Sequence, residues 1–308
     1  MKWFTTFLVA LSTAAAIEPP PAEAASRGFT LVARTEHVSY FGHGGRRVDV
    51  ERSEAFLSRL EGLFGALPAE WHLEYHRHPS AADIRDHAGI HAVGLTDLGA
   101  GRIDSVRDFH PHELIHAVAG RLGRCPVFFA EGLAVALSSE GRWGGRDVDA
   151  IARDALAAGV RVEGFLTSFT EQDPELGYPL AGSFVAFLLD RYGIDPFLLF
   201  LEGCGPSSRG WETAFRRAYG HAAARELIAW QASLRRGDAP RWSWNDTASW
   251  PESLRRPQVG GVGDRGAVAR PTGRADAVSD RADVLLSAER DSASGPVRPS
   301  VGIVPAAP

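Results

Sequence analysis

The chain has almost no lysine. Lys2 is the only one, and arginine supplies the rest of the 33 basic residues. Against 38 acidic residues this leaves a formal net charge of −5 and an isoelectric point near 6.1. A nucleic-acid-binding surface normally shows as a basic excess, so that class is excluded as the main role. Cysteine is scarce too: Cys125 and Cys204 are the only two. They allow one disulfide at most, or two thiols, and the sequence leaves both open. Past the N-terminus no apolar run is long enough to cross a bilayer. Also missing are a phosphate-cradling glycine loop, a G-x-S-x-G nucleophile elbow and internal repeats.

What is present starts with a targeting pattern. Lys2 precedes an apolar run from Trp3 to Ala16, too short to span a membrane stably. Small residues at Ala22 and Ala24 then offer a cleavage site, with Ala14–Ala16 as a second candidate. Residues 1–24 therefore read as a signal peptide, with an uncleaved N-terminal anchor as the alternative, and the mature protein is expected to be secreted or periplasmic with no stable membrane insertion after cleavage.

Residues 25–237 read as one domain of the α+β class. Residues 29–40 give one or two extended segments, and the glycines of 42–45 a turn. Phe56, Leu57, Leu60, Leu63, Phe64 and Leu67 recur at helical spacing. Residues 71–78 alternate, with Trp71, Leu73 and Tyr75 on one side and His72, Glu74, His76 and His78 on the other. That predicts a half-buried strand with a solvated polar face. A short helix is expected at 81–87 and a hairpin at 92–106. Helices follow at 111–122, 126–138, 148–158, 181–192 and 196–202, and 211–236 completes a helical half. From residue 238 to 308 the composition turns to Gly, Pro, Ala, Ser, Arg and Asp without sustained period. That stretch reads as a disordered tail, with Trp242, Trp244 and Trp250 near its start. Asn245 opens a three-residue glycosylation pattern, which is weak by itself.

The chemistry concentrates in residues 112–116, His-Glu-Leu-Ile-His. On a helix, positions i and i+4 share a face, so His112 and His116 can converge on one cation. Glu113 then stands beside it, placed to take a proton from metal-activated water. Such nitrogen donors suit zinc, which keeps one position for water in catalytic sites. A second predicted helix reads Phe-Phe-Ala-Glu-Gly-Leu-Ala over 128–134. An acid in such an apolar run is costly to bury unless paired or ligated; Glu131 as third ligand resolves that cost, and the alternative is a solvent-facing helix position. A second metal site among His72, His76, His78 and Glu74 is conceivable; the solvated face is the expectation. His110 is expected simply to begin the zinc helix.

HELIHAVAG followed by FFAEGLAVAL resembles the gluzincin metallopeptidases, especially the compact bacterial group called peptidase MA-like. The likeness continues in YPLAGSFVAFLLDRYG and in residues 210–234, covering roughly 29–236. It implies a zincin-like fold: a small N-terminal mixed β-sheet with helices, the HExxH helix, and a C-terminal helical half. It implies zinc on His112, His116 and Glu131, Glu113 as general base, and a polypeptide substrate. The family pattern often includes an oxyanion-stabilising tyrosine, and Tyr178 is its match here; the alternative is a tyrosine anchoring the helix start. Two departures weigh against an aminopeptidase: only residues 117–130 separate His116 from Glu131, and no GxMEN-type motif precedes the zinc helix. An extended substrate could add to an edge strand within 94–103. The rival readings are an inactive, zinc-stabilised scaffold of the same fold, or a zinc hydrolase of a non-peptide amide.

Overall fold

The computed structural model describes residues 28–237, apart from 139, 140, 167 and 207, together with a strand at 284–287. The expected signal segment, the tryptophans at 242, 244 and 250, Asn245 and most of the tail lie outside the described residues.

The class is α+β, as expected. Strands β1 (Phe29–Arg34), β2 (Val38–His43), β3 (Leu73–Arg77), β4 (Gly94–Asp97) and β5 (Arg102–Ser105) form a mixed sheet in the order β1-β2-β3-β5-β4. β2, β3 and β5 run parallel, while β1 and β4 close the two sides antiparallel. Val284–Ser287 pairs antiparallel with β4 from Gly94 to Asp97. The edge read as open to an extended substrate thus carries a piece of the chain's own C-terminal region.

Among the described residues there are nine α-helices. α1 (Val50–Phe64) and α2 (Ala81–Ala88) accompany the sheet; α3 (Pro111–Ala119), α4 (Val127–Ser138), α5 (Val148–Ala157), α6 (Pro174–Tyr192), α7 (Asp195–Cys204), α8 (Trp211–Tyr219) and α9 (Ala223–Arg236) follow. None is long and apolar enough to cross a membrane. A small hairpin, β6 (Arg142–Trp143) and β7 (Arg146–Asp147), stands between α4 and α5.

The sheet has two unlike faces. Tyr40, Leu73, Tyr75 and Ile103 join the main core with α1, α3 and the later helices. Phe29 and Phe41 pack on the other side as a separate small cluster. Here one expectation fails. His76 and His78 are buried, at 3% and 1% exposure, not solvated. Alternation assigns residues to faces correctly, but it does not reveal that Phe29 of β1 and His87 of α2 pack over the histidines on this one.

Two helix boundaries also differ. α6 begins at Pro174, seven residues before the expected start at 181, because Asp173 caps it and Pro174 occupies the first turn. Tyr178 and Pro179 therefore lie inside the helix. The 211–236 stretch breaks at Gly220, whose φ of 79° ends α8 in the left-handed region. The two cysteines are free thiols, both buried. Burial pushes the Cys125 thiol far up and Cys204 to about 11, which makes both unreactive at neutral pH.

α4 is buried along nearly its whole length and lies directly against α6. The approach is close because Gly132 and Gly182 face it. A Cβ on Gly132 would stand 2.5 Å from the Ala181 carbonyl oxygen, and one on Gly182 would stand 2.4 Å from Val135 Cγ1. Gly132→Ala is expected to destabilise the protein by about 1–3 kcal/mol, overpacking outweighing alanine's helix propensity. Gly62→Ala in α1, where an added Cβ meets nothing within 4 Å, should instead stabilise by about 0.5–1 kcal/mol. Chemical denaturation of the two variants reads the contrast; equal effects would contradict the close α4–α6 contact.

Candidate metal centre

α3 starts at Pro111, which supplies a preset φ and has no amide hydrogen to leave unsatisfied. The first two turns then hold His112 and His116 on one face, both 2% exposed. α4 packs against α3 and presents Glu131, which is wholly buried. The three side chains meet. Glu131 Oε2 lies 3.0 Å from His112 Nε2 and 3.2 Å from His116 Nε2, and the two Nε2 atoms are 3.1 Å apart.

This triangle holds more polar contacts than hydrogen bonding can satisfy, since each Nε2 carries at most one hydrogen and faces two partners. Ligands of a tetrahedral divalent cation, at bond lengths of roughly 2.0–2.2 Å, stand about 3.3–3.6 Å from one another. The three atoms have the arrangement of one face of such a tetrahedron, slightly drawn in. Two imidazoles and a carboxylate suit a zinc-type ion better than a calcium-type one. The residues therefore fit a metal.

The electrostatics agree. Burial alone would raise the pKa of Glu131; the electrostatic pull and hydrogen bonding of the facing His116 and His112 rings outweigh it and bring the group to about 2. The carboxylate is ionised in an apolar helix and needs positive charge beside it. Its second oxygen, Oε1, is buried with no hydrogen-bond partner.

Glu113 follows His112 on α3 and is also fully buried. Thr96 Oγ1, on β4, donates to its Oε2 at 2.7 Å and also reaches its backbone carbonyl at 3.2 Å. That leaves Oε1 without a partner. The carboxylate is thus held at one oxygen and available at the other. Gly94, two residues earlier on the strand, has to lack a side chain: a Cβ there would stand 2.1 Å from His110 Cε1 and 2.6 Å from Glu113 Oε1. His110 does precede the first turn of α3, with Nδ1 2.9 Å from Ser105 Oγ.

Tyr178 approaches from α6. Its ring centroid is 6.3 Å from that of His112, and it stacks on Trp143 at 4.8 Å with 15° between planes. Phe169 abuts it edge-on at 5.4 Å. Tyr178 also lines a small cavity of about 90 Å³ with Val127, Phe169, Thr170 and Pro174. The structure thus brings together all five residues singled out from the sequence. It adds Thr96, Gly94 and Trp143, which no motif marks. A threonine and a glycine in a four-residue strand carry no signal until the strand is known to border α3.

Comparisons with protein-family models, with curated proteins and with solved structures find no match to this chain.

Glu131→Ala and His116→Ala should each lower bound zinc by one equivalent per chain relative to the parent, measured by elemental analysis of the untagged protein. Undiminished zinc in both folded variants would contradict the centre.

Proposed function

We propose that the chain is an exported, zinc-dependent peptidase of zincin-like fold, related in design to the gluzincins. The observation that carries this reading is the conjunction at α3 and α4. Three donor atoms stand 3.0–3.2 Å apart, and a buried carboxylate on the next residue has one oxygen held and one unpartnered.

A zinc ion on His112, His116 and Glu131 would supply a Lewis acid for the scissile carbonyl and lower the pKa of water at the open position. The protein's own groups do the rest. Glu113, through Oε1, accepts a proton from the attacking water. It later delivers that proton to the leaving amine, so the peptide bond breaks with the water's elements shared between the two products. Thr96 fixes the orientation of that carboxylate by its bond to Oε2. Tyr178, with its ring 6.3 Å from that of His112, serves as the phenol donor for the developing oxyanion. Its stacking on Trp143 limits ring motion.

A carboxylate dedicated to proton transfer separates this reading from an inactive scaffold. A purely structural zinc site closes its coordination with protein ligands and has no use for a buried, half-satisfied glutamate next door. The hydrolysis of a non-peptide amide would use the same groups, and substrate profiling separates it.

Glu113→Gln should keep its zinc and lose activity on a peptide library by about 10²–10⁴-fold. Tyr178→Phe should keep zinc and lower kcat by roughly 10²–10³-fold with KM little changed. Peptide cleavage that survives Glu113→Gln at the parental rate, or that is indifferent to a chelator, overturns the proposal.

A further inference from the structure

Across the sheet from this centre lies a second cluster of imidazoles and carboxylates. β5 carries both environments: Ile103 joins the main core, and its neighbour Asp104 points to the opposite face. Phe41, His76 and Asp104 are register partners across β2, β3 and β5, so they form one row on that face. α2 lays His87 over the row. A ring nitrogen of His76, one of His87 and a carboxylate oxygen of Asp104 all lie within 4.8 Å of one another.

We propose that His76, His87 and Asp104 form a second divalent cation site, independent of His112, His116 and Glu131, which takes zinc or a similar transition ion. Four observations support it. First, one donor pair already has the ligand spacing: His87 Nε2 is 3.6 Å from Asp104 Oδ1, within the roughly 3.3–3.6 Å that separates ligands of a tetrahedral ion, and His76 completes the group within 4.8 Å. Second, His76 and Asp104 are oriented from behind, as metal ligands are. Glu74 Oε2 holds His76 Nε2 at 2.9 Å, while Nδ1 of the same ring is buried with no partner. His78 Nε2 reaches Asp104 Oδ1 at 2.7 Å, and Arg102 Nε donates to Asp104 Oδ2 at 2.9 Å.

Third, the surroundings are apolar enough to strengthen a charge contact. Phe29 lies against His76, His78 and His87 at 4.7, 4.9 and 5.6 Å between ring centroids, and Phe41 against His76 at 4.8 Å. Asp104 is fully buried. Fourth, the cluster has a way in. A cavity of about 430 Å³, bounded by Phe29, His43, His78, Asp83, Asp86 and His87, opens beside it, and two of its walls are carboxylates that attract a cation. Two imidazoles with one carboxylate select zinc, copper or nickel over magnesium or calcium. Arg102 shares the charge of Asp104 and weakens the site relative to the first. A cation here would tie α2 to β3 and β5, so its role is to hold this corner of the sheet in place.

The test uses the untagged full chain, stripped of metal and titrated with zinc alone. With the first centre disabled by His116→Ala and Glu131→Ala together, the protein should still bind one equivalent. Cobalt in that variant should give the visible absorption of a tetrahedral ion. Adding His87→Gln, on the partly exposed helix, should abolish both while circular dichroism stays parental; Asp104→Asn is the second variant. No zinc in the folded first-centre double variant overturns the proposal. So does an equivalent that persists through His87→Gln and Asp104→Asn. Neither outcome depends on peptidase activity, so the reading of the first centre stands or falls separately.

Discussion

An ionised carboxylate is expensive to bury, with a penalty of several kcal/mol unless positive charge meets it. Glu131 is wholly buried on a helix whose other residues are nearly all apolar. Much of the molecule's helical half serves to place that one group against two imidazoles. α3 supplies the histidines a turn apart. α4 presents the acid, and α6 can press against α4 because Gly132 and Gly182 make room for the facing backbone and the Val135 and Val185 side chains. A metal-centre reading rests on this constraint: once the carboxylate is fixed between His112 and His116, the three donors stand close to the spacing of a ligand set.

The sheet matters for a different reason. It borders α3 with β4, and through Thr96 it holds the neighbouring Glu113 by one oxygen only. The same strand keeps Gly94 bare so that His110 and Glu113 can pass close to its backbone. The far face of the sheet repeats the theme with other residues. His76, His78, His87 and Asp104 gather under Phe29 and Phe41, where a solvated surface was expected. One thin sheet thus separates two groups of metal-capable side chains.

Much of this was legible in the chain. The 3.6-residue period of α1, the alternation of β3, and the glycine-centred hairpin of β4 and β5 follow from side-chain direction alone. His112, Glu113 and His116 are marked by helical geometry, and Glu131 by the implausibility of an acid in an apolar run. Three things were not legible. The burial of His76 and His78 depends on which side chains come to lie over that face: Phe29 comes from β1, remote from β3 in sequence, and α2 follows β3 closely without signalling that it folds back over this side. The early start of α6 was signalled by Asp173 and Pro174 but masked by Pro179 inside the helix. The strand at 284–287 lies in a segment whose composition shows no periodicity, and its pairing with β4 rests on backbone hydrogen bonds, which leave little trace in residue types.

The central claim is that a cation sits among His112, His116 and Glu131. Anomalous diffraction collected on both sides of the zinc absorption edge, from crystals of the zinc-loaded protein, tests it directly. The account predicts a peak within about 2.0–2.2 Å of the Nε2 atoms of both histidines and of a Glu131 oxygen. A difference map empty there, in crystals whose histidines and Glu131 are well ordered, would contradict it.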